Sequence, residues 1–62
     1  MTPIEIRRRL GLPRRKITAL ADVCEPSVRS YELDRNGVTA PIRAKLDPVY
    51  AALEAAASEA RP

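Results

Sequence analysis

Histidine, phenylalanine and tryptophan are absent from this 62-residue chain, and cysteine occurs once, as Cys24. Without His, and with a single thiol, the usual zinc ligands are missing. One Cys also excludes a disulfide within the chain. The two glycines form no phosphate-cradling loop, and the carboxylates show no acid–base spacing. The sequence therefore reads as a non-enzyme that needs no cofactor or metal. No apolar run reaches about 18 residues, so no membrane-spanning helix is expected. The start lacks a signal-peptide core, and the expected location is cytoplasmic. No stretch alternates apolar and polar residues as a strand would, so the expected class is all-α. Two Tyr are the only aromatics, leaving Leu, Ile, Val and Ala to fill the core. So small a core supplies only a few kcal/mol of net stability. Dimerisation would add to it.

What is present is positive charge, unevenly placed. The chain carries +3 overall. Arg7, Arg8, Arg9, Arg14, Arg15 and Lys16 face only Glu5 in residues 1–16, giving 6 − 1 = +5. Residues 17–62 carry five basic and seven acidic residues, giving −2. A cluster of this kind attracts phosphate backbones, although a solvated face has the same composition.

Proline supplies the punctuation. Pro3, Pro13, Pro26, Pro41 and Pro48 each read as opening a helix, where the missing N–H costs nothing. Thr2 and Glu5 around Pro3 form a capping box. Asp47-Pro48 reads as a second N-cap and first-turn pair, and Thr39 as the cap of the helix holding Pro41. Gly11 suits a left-handed helix end, and Asn36-Gly37 closes a loop. The spacing predicts five helices at about 3–10, 13–21, 25–33, 40–46 and 48–59 in one domain. The last carries an apolar stripe of Val49, Leu53 and Ala56, with Ala52 and Ala60. That stripe is placed to close the core, to form a dimer seam, or both. Residues 58–62 are expected to fray.

The most informative stretch is Arg14 to Glu32. It predicts two short helices joined by a tight turn at Asp22-Val23-Cys24. Ile17, Leu20 and Ala21 make the inner face of the first, Val28 and Tyr31 that of the second. Val23 points inward from the turn. Two helices held at a steep angle in this way free the second for a DNA major groove. Cys24 is expected to be a small buried or half-buried turn residue, and Tyr31 a core residue.

With RRRLGL followed by RRKITALADVCEPSVRSYE, the chain resembles the phage-repressor/Cro-type (lambda-repressor-like) helix-turn-helix family. The likeness covers about Thr2 to Leu46, with the motif at about 14–33 and the helix at 48–59 in the place of the family's fifth. It implies a compact five-helix DNA-binding domain that binds operator DNA as a homodimer. In that family a helix-one Arg pairs with a Glu late in the recognition helix, which points to Arg7 and Glu32. Thr18, Asp22 and Cys24 stand where the family usually has Ala, Gly and a Ser or Thr cap. Arg14 stands where Gln is common.

The resemblance implies base contacts from Glu25, Pro26, Ser27, Arg29 and Ser30. Arg29 is suited to guanine O6 and N7, or else to a phosphate. Glu25 suits cytosine N4 or the helix N-terminus, and Pro26 a thymine methyl or merely the helix start. Arg14 takes the family's phosphate-gripping position, where side chain and free backbone N–H groups coincide. Arg15, Lys16, Arg35, Asn36 and Arg43 are further backbone candidates. The implied activity is regulation by occupying a promoter, with repression the default. Two alternatives stay open. VRSYE followed by Gly37-Val38 also looks like the MerR family, another DNA binder. The Ala-rich tail with Val49 and Leu53 also suits a small protein-interaction module or antitoxin with a protein partner.

Overall fold

The computed structural model describes residues 2–59. They form α1 (Pro3–Arg9), α2 (Arg14–Ala21), α3 (Glu25–Leu33), a 3₁₀ turn (Arg35–Gly37) and α4 (Ala40–Glu59). There is no strand among them, so the class is all-α. No described helix is long and apolar enough to cross a membrane.

Local chemistry accounts for each start and stop. Thr2 is extended and its hydroxyl accepts from the Glu5 N–H at 3.2 Å, capping α1 ahead of Pro3. Gly11, at φ +67°, turns the chain out of α1, as a residue without a Cβ does cheaply. Pro13 precedes α2 with extended backbone. Asp22 ends α2 in the left-handed region, at φ 56° and ψ 50°, the one such non-glycine residue described. Short polar Asp tolerates that region where a branched residue would not. The Thr39 carbonyl accepts the first bond of α4 from the Arg43 N–H at 3.0 Å.

Four α-helices, not five, are seen among the described residues. Residues 40–46 and 48–59 belong to one 20-residue helix that runs through Pro48. Asp47 is therefore not an N-cap but a mid-helix residue. An interior proline removes one backbone bond. Pro48 is exposed, and so is Ala44, the residue whose carbonyl loses its donor. Meanwhile Leu46 and Tyr50, on either side of the proline, are both buried and hold the helix onto the core.

Continuity also resets the phase of the stripe. Counted from Leu46, the helix buries Leu46, Tyr50 and Ala57, with Leu53 partly buried between them. Ala57 is the buried alanine, while Ala56 and Ala52 are exposed. Val49 and Leu53 do pack on the core, at its margin. Ser58 and Glu59 remain helical; Ala60 and the rest of the expected frayed end lie outside the described residues.

The core joins Ile6 of α1, Ile17 and Ala21 of α2, Val28 and Tyr31 of α3, and Leu46 and Tyr50 of α4. Leu20, expected on the inner face of α2, is instead 54% exposed. Ile17 and Ala21, one turn apart, already fill that face, and Leu20 is rotated off it.

Candidate nucleic-acid interface

Beneath the outer face of α3 lies a buried carboxylate. Glu32 is 9% exposed and has the bonds a buried charge requires. Arg7 of α1 reaches it through Nε at 2.7 Å and Nη2 at 3.3 Å, a two-pronged contact that fixes direction as well as distance. The third prong, Nη1, donates to the Leu12 carbonyl at 3.1 Å. Tyr50 of α4 donates its hydroxyl to Glu32 Oε2 at 2.7 Å. Burial, and then Glu32 itself, push that phenol well above its ordinary value. Arg14 Nε stands 3.9 Å from the other carboxylate oxygen. One carboxylate on α3 thus has cations or donors from α1, α2 and α4 around it. The Arg7–Glu32 pair expected from the sequence is present; Tyr50 is the partner that sequence reasoning missed. Its signal was its place four residues after Leu46, on one helical face.

The link between α2 and α3 is equally local. The Asp22 N–H bonds to the Thr18 carbonyl at 2.9 Å, and Lys45 Nζ reaches the Asp22 carbonyl at 3.4 Å. Val23 packs against the core. Cys24 is exposed, contrary to expectation. Val23 takes the inward position of the turn, and Cys24 turns out toward Ser27. Its carbonyl starts α3, accepting from the Ser27 and Val28 N–H groups. Its Sγ lies 3.1 Å from Ser27 Oγ, a contact that holds the thiol below its ordinary value.

With Val28, Tyr31 and Glu32 buried, the opposite side of α3 faces out. Glu25, Pro26, Arg29 and Ser30 are exposed, and Ser27 is half-buried. Glu25, Pro26, Arg29 and Ser30 line one open groove of about 460 Å³ together with Arg14 and Leu33. The fold therefore gathers four of the five expected base-contacting residues with the foremost phosphate candidate. Arg29 forms no ion pair with any described residue. Arg14 opens α2, and Arg15 and Lys16 follow it, both exposed.

The loop after α3 is differently disposed. Asn36 is exposed, and its backbone N–H donates to Asp34 Oδ1 at 3.0 Å. Arg35 is bound to Asp47 through Nε at 3.0 Å and Nη2 at 2.6 Å. Arg43 donates to the Val38 carbonyl at 2.9 Å. Both cations brace the loop against α4. Asp47 also accepts the Tyr31 hydroxyl at 2.5 Å. The rings of Tyr31 and Tyr50 stack with centroids 5.3 Å apart. Burial, and then Asp47, push the Tyr31 hydroxyl up to about 12.

Arg35 and then Tyr31 hold the Asp47 carboxyl down at about 2, against an ordinary 3.8. A carboxylate depressed by folding stabilises the fold above its unfolded value and loses that effect as it protonates. The Asp47 contribution is therefore complete above pH 3.8 and lost as pH falls through about 2. Thermal melts across that window should decline less steeply for Asp47→Asn than for the wild type. Parallel declines would remove Asp47 as the cause.

A second, apolar groove of about 340 Å³ opens between α2 and α4, lined by Leu20, Pro48, Val49, Ala52 and Leu53. No group of three or more potential metal ligands occurs among the described residues. Compared with known proteins, the chain matches no family model, no curated protein and no solved structure at a significant level.

Proposed function

We propose that this chain is a sequence-specific double-stranded DNA-binding domain of the phage-repressor/Cro helix-turn-helix type. In this reading α3 enters the major groove and the start of α2 lies on the adjoining backbone. One observation carries it: α3 is locked from behind by Glu32 while its outer face presents Pro26, Arg29 and Ser30 beside Arg14. Phosphate contacts set register and base edges set sequence. Arg14, Arg15 and Lys16 supply the first kind of contact, and Arg29 the second. The domain acts by occupying its operator, so repression is the default outcome.

A homodimer fits the same reading, since paired half-sites require a two-fold protein. The groove holding Leu20, Val49, Ala52 and Leu53 is the proposed seam. The same groove is also what favours a second reading, a small module that binds a partner protein.

The test is fluorescence-anisotropy binding to the DNA upstream of the chain's own gene, against a scrambled duplex, at several salt concentrations. The expected result is tight, own-site-selective binding with a log–log salt slope of roughly −4 to −7, as about 5–8 neutralised phosphates give. Equal, weak binding to this duplex and to pools of random sequence would overturn DNA recognition and favour the protein-interaction module.

A further inference from the structure

Among the described residues two large apolar side chains are exposed, Leu20 and Leu33. Leu20 lines the groove between α2 and α4. Leu33 is different. It is 72% exposed, at the last turn of α3, and lines the groove that contains Arg14, Glu25, Pro26, Arg29 and Ser30. A single exposed leucine is ordinary on any surface. Its placement here is what matters. Pro26, Arg29, Ser30 and Leu33 follow at i, i+3, i+4 and i+7, so they form one strip along the outer face of α3. The core takes nothing from Leu33, because the inward positions are filled by Val28, Tyr31 and Glu32.

We propose that Leu33 reads the C5-methyl of a thymine in the major groove. This rests on the DNA-binding reading above and adds a specificity-determining residue to it. The occupant follows from the charge around the side chain. Two guanidinium groups, Arg14 and Arg29, and one carboxylate, Glu25, share the groove with it. That net positive rim suits a phosphate-flanked duplex better than an apolar protein surface. The thymine methyl is the one apolar group that a base presents in the major groove. Spacing sharpens the proposal. Four residues of helix separate Leu33 from Arg29, about 6 Å along the axis. At about 3.4 Å per base step this places the thymine roughly two steps from the base under Arg29.

Duplexes selected by the wild-type protein from a random pool provide the test. Each dT in the selected site is replaced in turn by dU, which removes only the methyl. One dT per half-site should then cost the wild type about fourfold in Kd, the effect of one buried methyl group. It should lie roughly two steps from a guanine whose 7-deaza analogue also weakens binding. Leu33→Ala should bind the dT and dU sites alike, with an unchanged melting temperature and sedimentation coefficient.

A wild type indifferent to dU at every position overturns the proposal while leaving sequence-specific binding intact. So does a Leu33→Ala protein that keeps the dT preference. A change of oligomeric state in Leu33→Ala would reassign the leucine to a protein contact. Failure of the selection to yield any preferred sequence would bring down the DNA reading itself, and this proposal with it.

Discussion

Glu32→Ala is expected to remove about 3–5 kcal/mol of stability, the usual effect of taking one partner from a buried charge pair. That is comparable to everything a core of this size supplies, so the variant should be largely unfolded. The reason lies in what the substitution leaves behind. Arg7, its side chain only 16% exposed, would keep a charge with no counter-ion. The Tyr50 hydroxyl, buried against the same carboxylate, would lose its acceptor. Urea denaturation followed by helical circular dichroism measures the loss. A midpoint close to the wild type would show that Arg7 and Tyr50 find other partners, and would end the claim that Glu32 locks α3. Tyr50→Phe separates the contributions. It removes one hydrogen bond but leaves Arg7 and Glu32 paired, so about 1 kcal/mol is expected. Replacing Arg7 and Glu32 together by methionine should cost less than Glu32→Ala alone, because no charge is then stranded.

This carboxylate also marks how far the sequence could be read. The caps were legible because they depend on neighbours in sequence. Thr2 bonds three residues on, Gly11 takes a positive φ, and Asp22 takes the left-handed turn. Arg7 with Glu32 was legible only through a family resemblance, since the two are far apart in sequence and nothing local joins them. The path of α4 was not legible. Asp47-Pro48 has the local signature of a helix start, yet burial of Leu46 and Tyr50 carries the helix across it. Tertiary packing outweighed local propensity there, as it often does. The continuous helix, in phase with Leu46 and Tyr50, buries Ala57 rather than Ala56. Asp47 has the local signature of a cap, yet it binds Arg35 and Tyr31 from mid-helix. Arg35, a backbone-contact candidate from the sequence, is held by that same carboxylate. Leu33 has no local signature, because what sets it apart is its place beside Arg14, which a different helix brings to it.

The outer face yields the second large effect. Arg29→Ala should weaken binding to the selected site by about 1–3 kcal/mol, the range for a bidentate arginine–guanine contact. Binding to scrambled duplex should change little. Two features make this separation possible. Arg29 is exposed and has no ion pair among the described residues, so its loss should not disturb the fold. It also stands mid-strip on α3, between Pro26 and Leu33 rather than at the helix end. Arg14→Ala supplies the contrast. A phosphate contact contributes equally on every sequence, so its removal should weaken both duplexes alike and flatten the salt slope by about 1. Arg14 also stands near Glu32, and a melting curve must accompany that variant. If Arg29→Ala loses equally on both duplexes, Arg29 is a backbone contact. Sequence reading would then fall to Glu25, Pro26, Ser30 and Leu33, the other residues of α3 that line the groove. Anisotropy titrations of the two variants on the two duplexes decide between these assignments, because loss of a base contact lowers the ratio of the two affinities and loss of a backbone contact leaves it unchanged.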